Sequence, residues 1–202
     1  LPDDDGKLSF RAVREIEKRL PQMDAILVGC GLGQSAGVLA VVKTVLEQAK
    51  CPVVLDADGI NVLRQHKDIL RGRTDPTILT PHDGEFARLM GKMPSEDRTV
   101  AAADAANEMG CVMLLKGHET RISDGEVCYR NTTGNPGMAV GGSGDVLAGI
   151  ITALLGQGIR PLEAAACGAW LHGAAGEICA DEIGQYGMLP TDMLNVLPRL
   201  LK

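Results

Sequence analysis

The chain has 202 residues, of which 45% are hydrophobic and 23% are charged, and its formal net charge is −6. This length and composition predict one globular domain over residues 1–202, with a core of ordinary size. The acidic balance argues against nonspecific binding to nucleic acid or to an anionic membrane surface, and no apolar run approaches the roughly 18 residues of a membrane span.

Short apolar runs alternate along the chain with stretches of helical periodicity. In chain order we predict a helix over 9–20, a strand over 24–28, a helix over 36–50, a strand over 52–55, a short helix, a strand over 77–79, helices over 85–90 and 100–109, a strand over 111–115, a hairpin over 120–130 and helices over 143–155, 161–180 and 191–201. Ser9 is the expected N-cap of the first helix, and Asp124-Gly125 is the expected turn of the hairpin. Strands that alternate with helices through short loops predict a mostly parallel α/β sheet.

Polar and glycine-rich residues are concentrated where four of these strands end. The ends are residues 29–34, 56–58, 80–82 and 116–117. In open α/β sheets, ligands bind beyond the carboxyl ends of the strands. The sequence therefore predicts one binding site built from these four segments.

The strongest motif is the segment from Gly134 to Asp145, in which five of twelve residues are glycine and which leads directly into a predicted helix. Glycine lets the backbone approach a ligand closely, and the first amides of a helix lack internal partners. Together they predict an anion site suited to a transferring phosphoryl group, with Asp145 at its mouth. The alternative is a flexible loop in which Ser143 is an N-cap and Asp145 interacts only with the helix dipole.

Five other polar residues at the strand ends each allow two interpretations. Asp56 and Asp58 either position a metal ion or a ligand hydroxyl, or form a turn in which Asp58 caps the next helix. Lys116 either neutralises a phosphate or leaves its strand in an ordinary turn. His82 is either a ligand contact or a hydrogen-bonded loop residue, and Glu85 either supports it or simply occupies the first turn of a helix.

The cysteines and histidines give no sign of a metal site. No C-x-x-C pair is present, and no histidine stands at metal-ligand spacing from a cysteine. Cys111, Cys167 and Cys179 lie in apolar stretches and are predicted to be buried. We expect His66 to be exposed, His172 to be a satisfied helix residue, and the chain to be reduced and cytoplasmic.

The glycine segment resembles the anion hole of the ribokinase-like superfamily, in which a G-x-G-D motif closes on phosphates and its Asp serves as the base. Together with residues 55–61, 80–89 and 116–120, the segment 133–149 is similar to the NAD(P)H-hydrate dehydratase family from about Asp24 to the end of the chain. The resemblance implies a ribokinase-like three-layer α/β/α fold. It also implies that hydrated NADH or NADPH is repaired at the expense of ADP or ATP, with Mg²⁺ neutralising the phosphates. The amino-acid sequences of these motifs are similar to those of bacterial members of the family, which are typically ADP-dependent.

The resemblance also implies roles for individual residues. Asp145 matches the catalytic base. The positions that match nucleotide contacts are Lys116, Gly117, His118, Glu119, Thr120, Asn135, Gly141, Gly142, Ser143 and Gly144. The positions that match substrate contacts are Gly31, Gly33, His82 and Asp145. Cys30 and Asp83 depart from the family, which usually has Pro at the first position and Pro or a small residue at the second.

The family's domain normally begins further upstream, with additional strands and helices. The resemblance therefore implies a sheet that lacks its first strands and helices, and an exposed sheet edge is an association hazard. We expect a homo-oligomer or a companion chain to cover that edge. Two other functions stay open: a kinase of a small alcohol such as a thiazole or pyrimidine vitamin precursor, against which the segment 80–85 argues, and a non-catalytic nucleotide-binding fragment, which the missing first portion favours.

Overall fold

The computed structural model describes residues 1–4 and 6–201, and a six-stranded sheet lies at its centre. In chain order the strands are β1 Asp3–Asp4, β2 Lys7–Leu8, β3 Ile26–Val28, β4 Val53–Leu55, β5 Thr77–Leu79, β6 Val112–Leu115, β7 Arg121–Ser123 and β8 Cys128–Arg130. β1 and β2 pair with each other, and the remaining strands form one sheet in the order β3-β4-β5-β6-β7-β8. β3 to β6 run parallel, and β7 and β8 add an antiparallel hairpin. The predicted mostly parallel sheet is confirmed.

Helices cover both faces of this sheet. They are α1 Ala12–Arg19, α2 Ala36–Gln48, α3 Ala57–Asn61, α4 Asp68–Arg71, α5 Asp83–Met90, α6 Arg98–Met109, α7 Ser143–Gly156, α8 Pro161–Ile183 and α9 Pro190–Leu200. In β4, Val53 and Leu55 pack into the core under α1–α6, while Val54 packs into the core under α7 and α8. Alternate residues of a strand point to opposite faces, so this strand is buried on both sides, as expected of a parallel sheet between two helical layers. Within residues 1–4 and 6–201, none of these helices has the length and apolarity needed to cross a membrane.

Hydrogen bonds test two predicted features, the start of the first helix and the turn of the hairpin. The first helix begins at Ala12 rather than at Ser9, and its N-cap position is Arg11. The Ser9 hydroxyl accepts from the Arg11 amide at 3.3 Å and makes no capping bond to α1. The hairpin turn is as predicted, since the Asp124 carboxylate accepts from the amides of Glu126 and Val127 at 3.0 and 2.9 Å. A side chain that bonds to its own turn is typical of Asp at such positions.

The backbones at the carboxyl ends of β3 and β4 are in close contact at Gly29 and Asp56. Gly29 has φ +138°, and a Cβ atom on it would lie 1.7 Å from the carbonyl oxygen of Asp56. Only glycine fits this position without displacing the backbone. The close approach places Asp56 directly beside the glycine turn that follows β3.

Candidate active site

A cavity of about 790 Å³ opens at the carboxyl ends of the parallel strands, beside the start of α7. It is lined by His82, Lys116, Gly117, His118, Glu119, Thr120, Asn131, Thr133, Gly134, Asn135, Pro136, Met138, Ala139, Val140, Ser143, Gly144, Leu147, Ala169, His172 and Gly173. Another cavity, of about 520 Å³, is lined by residues that include Pro76, Gly110 and Arg160, and it contains none of the predicted site residues. The larger of these two cavities lies where the sheet topology predicts a binding site.

Lys116 lies between two buried carboxylates at the end of β6. Its Nζ is 2.7 Å from Oδ1 of Asp56 and 3.6 Å from Oε2 of Glu85. The Thr80 hydroxyl donates to the same Asp56 oxygen at 2.7 Å, and Asp56 is only 1% exposed. A buried carboxylate needs such partners because burial alone disfavours its charge. The ion pair fixes the ammonium group at the mouth of the cavity.

One of the two interpretations made Asp58 the cap of the following helix, and that interpretation is wrong. Asp58 Oδ2 accepts from the Gly33 amide at 2.8 Å and its Oδ1 accepts from Nε2 of Gln34 at 3.2 Å. The N-cap position of α3 is Asp56, whose side chain makes no capping bond. Asp58 therefore fastens the glycine turn after β3 to the start of α3.

His82 makes the hydrogen bonds of a loop residue and also lines the cavity. Its Nδ1 accepts from the amides of Gly84 and Glu85 at 3.0 and 3.4 Å, and Glu85 Oε2 accepts from the His82 amide at 2.9 Å. This reciprocal capping box starts α5 at Asp83, two residues before the predicted start. Because Nδ1 is an acceptor, the ring proton of a neutral His82 lies on Nε2, 3.4 Å from Glu85 Oε1. The side chain also remains 55% exposed and lines the cavity.

The turn after β6 is closed by its own side chains. The Thr120 hydroxyl accepts from the Gly117 amide at 3.3 Å and donates to the Gly117 carbonyl at 3.0 Å. Arg98 donates to the Lys116 carbonyl at 2.9 Å from outside the turn. Glu119 has φ +53°, a conformation that is rare for a residue with a side chain, and a hydrogen bond from Arg121 lowers the pKa of its carboxyl. These hydrogen bonds hold the turn that forms part of the cavity wall, and Arg121 and Arg130 form ion pairs with the Glu119 carboxylate.

The glycine-rich loop is fastened to α8. The Gly134 amide donates to Oε1 of Glu177 at 2.9 Å, and Nδ2 of Asn135 donates to the Gly176 carbonyl at 2.8 Å. α7 then begins after Gly142, which has φ +92°, and no side chain caps it. The alternative with Ser143 as an N-cap is therefore wrong: Ser143 is the first helical residue. An uncapped helix start beside a fixed ammonium group is a site that attracts anions.

Asp145 lies in the first turn of α7 and does not line the cavity. Its carboxylate, the Asp56 carboxylate and the Cys30 thiol each place an atom within 4.8 Å of the others. A Cβ atom on Gly144 would be 3.2 Å from Lys116 Nζ, so the glycine lets the start of α7 approach the ammonium group. Burial, followed by the charges of Asp56 and Asp145, raises the pKa of Cys30 to about 12. The thiol therefore stays protonated at neutral pH.

Comparison with known proteins decides the family. A family model described as NAD(P)H-hydrate dehydratase matches residues 8–199. The chain belongs to this family. A bifunctional NAD(P)H-hydrate repair enzyme from Moorella thermoacetica is 46% identical over 202 residues, which cover 98% of this chain and 38% of the relative. The ADP-dependent (S)-NAD(P)H-hydrate dehydratase from Neisseria meningitidis is 43% identical over 171 residues, covering 80% of this chain and 57% of that protein.

Solved structures of the dehydratase family and its superfamily share the fold. The ADP/ATP-dependent NAD(P)H-hydrate dehydratase from Bacillus subtilis, co-crystallised with ATP and Mg²⁺, has a TM-score of 0.80 at 36% identity and covers 88% of this chain and 64% of that one. A ribokinase-like superfamily protein from Enterococcus faecalis has a TM-score of 0.81 at 32% identity, over 95% of this chain and 67% of that one. The predicted ribokinase-like fold is confirmed. This chain spans 38% and 57% of the lengths of the two sequence relatives.

The structure divides the predicted site residues of this dehydratase-family chain into two groups. The predicted nucleotide contacts that line the cavity are Lys116, Gly117, His118, Glu119, Thr120, Asn135, Ser143 and Gly144. Gly141 and Gly142 precede α7 outside that lining. Of the predicted substrate contacts, His82 lines the cavity, whereas Gly31, Gly33 and Asp145 do not. The Gly33 amide bonds to Asp58, and the Asp145 carboxylate lies beside Cys30 and Asp56.

Several residues that line the cavity were not predicted from the sequence to belong to the site. The main ones are Ala169, His172 and Gly173 of α8. His172 does have a partner, as predicted, but it also forms part of the wall. Of the three cysteines expected to be buried, Cys167 is exposed, because it lies on the outer face of α8. His66, expected to be exposed, is half-buried in the turn between α3 and α4.

Replacing Gly173 by Ala is expected to displace the glycine-rich loop and to weaken ligand binding in the cavity. The new Cβ would lie 2.2 Å from Oγ1 and 2.7 Å from the carbonyl carbon of Thr133, so the loop must move away from α8. The measurement is the affinity for ADP or ATP together with the melting temperature. Gly149→Ala in α7 is the matched control: its Cβ meets nothing within 4 Å, and Ala stabilises a helix interior by about 0.5–1 kcal/mol. Equal affinity in both variants would contradict the prediction.

Proposed function

We propose that this chain catalyses the ADP- or ATP-dependent dehydration of hydrated NADH or NADPH, a repair of damaged nicotinamide nucleotides. The observation that carries the proposal is the meeting of the Lys116 ammonium group and the uncapped start of α7 at one end of a cavity lined by the glycine-rich loop. The Asp145 carboxylate lies in the first turn of that helix, within 4.8 Å of the Asp56 carboxylate that pairs with Lys116. The names of the relatives from Neisseria meningitidis and Bacillus subtilis support it.

The proposed reaction begins with phosphoryl transfer to the hydroxyl on the reduced nicotinamide ring. Asp145 accepts the hydroxyl proton while the oxygen attacks the terminal phosphate of the nucleotide, whose bond to the leaving phosphate breaks. The phosphorylated ring then loses inorganic phosphate and a ring proton, which restores the double bond. The amides at the start of α7 and the Lys116 ammonium group stabilise charge on the transferring phosphate.

The residues beside Asp145 fit a divalent cation carried by the nucleotide. Mg²⁺ prefers oxygen ligands and is commonly held by one or two carboxylates together with substrate phosphates. Asp56 and Asp145 supply carboxylates within 4.8 Å of each other, whereas the protonated Cys30 thiol is not a ligand for this hard cation. When bound, Mg²⁺ neutralises phosphate charge. Gly31, Gly33 and His82 are proposed to contact the hydrated cofactor on the neighbouring surface.

Nucleotide binding is the first test of this function. Millimolar ADP or ATP with Mg²⁺ is expected to raise the melting temperature, because a ligand that binds only the folded state stabilises it by about 2.7 kcal/mol at a hundredfold excess over Kd. Adenosine, which lacks phosphates, is the control and should give a much smaller shift. If neither nucleotide moves the melting temperature, the cavity is not a nucleotide site.

The edge of the sheet is proposed to be covered by a second copy of the chain or by a companion chain. Within the described part of the chain, β3 pairs only with β4. An apolar groove of about 360 Å³ runs beside β3 and is lined by residues that include Leu8, Leu20 and Met23. Light scattering is expected to give a mass at least twice the 21.3 kDa of one chain, because an unpaired strand edge favours association. A stable, soluble monomer would contradict this.

All six cysteines are free thiols, which supports a cytoplasmic location.

A further inference from the structure

Ser143 and His172 form a buried pair in the cavity wall that the proposed mechanism does not use. The Ser143 Oγ lies 3.2 Å from Nε2 of His172, and the two residues are 6% and 8% exposed. Both line the cavity, at the point where α7 begins. The Ser143 hydroxyl caps no helix, since the N-cap of α7 is Gly142. The pair therefore brings a hydroxyl group to the place where an anion is expected.

The protonation of the His172 ring determines the direction in which the proton of the Ser143 hydroxyl points. Burial lowers the pKa of His172 to about 4, although a hydrogen bond with the Ser143 main chain raises it, and the charge of Lys116 lowers it further. At neutral pH the ring therefore carries a single proton. If that proton is on Nε2, the ring donates to Ser143 Oγ and the hydroxyl proton is free to turn toward the cavity. If it is on Nδ1, the hydroxyl proton is used in the bond to His172.

We propose that His172 is a positioning residue that donates from Nε2 to Ser143 and thereby presents the Ser143 hydroxyl proton to the phosphate groups of the bound nucleotide. The inference rests on the proposed function, because it requires phosphates at the start of α7. A hydrogen bond to a charged phosphate is stronger than one between neutral groups, so the hydroxyl adds to the attraction of Lys116. A neutral imidazole supplies this orientation without repelling the Lys116 ammonium group, which a protonated one would do.

The affinity for ADP with Mg²⁺, measured by calorimetry, tests the pair as a unit. Ser143→Ala and His172→Leu are each expected to weaken binding roughly tenfold, the usual worth of a hydrogen bond to a charged group. The double variant should bind no more weakly than the weaker single variant, because both changes remove the same interaction. His172→Gln, whose amide offers an N–H donor at similar reach, should recover most of the affinity. Adenosine affinity should be unchanged in all variants, whereas general damage to the cavity would lower it.

A second measurement observes the ring proton directly in the wild-type chain. The ¹⁵N shifts of the His172 ring, assigned by their loss in His172→Gln, are expected to show the proton on Nε2. A proton on Nδ1, additive losses in the double variant, or wild-type ADP affinity in Ser143→Ala would each overturn the proposal while leaving the proposed function intact. If the wild-type chain binds neither ADP nor ATP, both proposals fail.

Discussion

Replacing Asp145 by Asn is expected to lower turnover of the hydrated cofactor by roughly 10²–10⁴-fold, the usual contribution of a positioned general base. The ring hydroxyl must lose its proton as it becomes a nucleophile, and Asp145 is the acidic residue in the first turn of α7. Asn keeps the shape of the side chain but cannot accept that proton. The assay is the return of NADH absorbance from hydrated NADH in the presence of ADP or ATP. Nucleotide binding should survive, because Asn keeps the shape of the side chain and leaves the Lys116 ammonium group, the Asp56 carboxylate and the start of α7 unchanged.

The matched control is Asp68→Asn, which also removes a carboxylate from the first turn of a helix. Asp68 belongs to the short helix α4, away from the strand ends, so turnover should not change. Wild-type turnover in Asp145→Asn would remove this residue from the mechanism. A wild-type chain that binds nucleotide but restores no NADH would instead favour a non-catalytic nucleotide-binding role, and phosphorylation of a thiazole alcohol without dehydration would favour a kinase.

The central strands β4, β5 and β6 could be predicted from the sequence because they are buried on both faces, whereas the short pair β1 and β2 was not predicted. Every residue of β4 and β5 is buried and all but Thr77 are apolar, so each strand stands out from its polar surroundings. Helix starts were harder to predict, because they depend on single hydrogen bonds. α5 begins two residues early since His82, an uncommon N-cap residue, accepts from two amides.

The strand-end part of the site could also be predicted, because parallel topology brings the carboxyl ends of strands together wherever they occur in the sequence. The contribution of α8 to the site could not be predicted. Ala169 and Gly173 have no reactive group, and they line the cavity only because the glycine-rich loop folds back onto α8 through Asn131 and Thr133. Small residues in a helix usually indicate close packing, and periodicity alone does not identify the segment that packs there.

Removing the ion pair between Lys116 and Asp56, at the end of β6, is expected to lower both the stability of the fold and the affinity for the nucleotide. Lys116→Met is expected to destabilise the fold by about 3 kcal/mol, because it leaves the buried Asp56 carboxylate without its counter-ion. For a chain of this length, that loss lowers the melting temperature by roughly 6–12 °C. Lys67→Met is the control, since Lys67 pairs with Glu108 at the surface at 3.3 Å, and such pairs contribute no more than about 1 kcal/mol.

A second substitution separates the structural role of Lys116 from its role in binding. Asp56→Asn in the Lys116→Met background removes the unpaired charge and keeps an oxygen that accepts from the Thr80 hydroxyl, so the melting temperature should recover. The affinity for ADP should not recover and should stay below that of Asp56→Asn alone, because the ammonium group that faces the phosphates is still missing. If the double variant bound ADP as well as Asp56→Asn does, Lys116 would act only as the partner of a buried carboxylate. If Lys116→Met melted at the wild-type temperature, the buried charge of Asp56 would not depend on this pair.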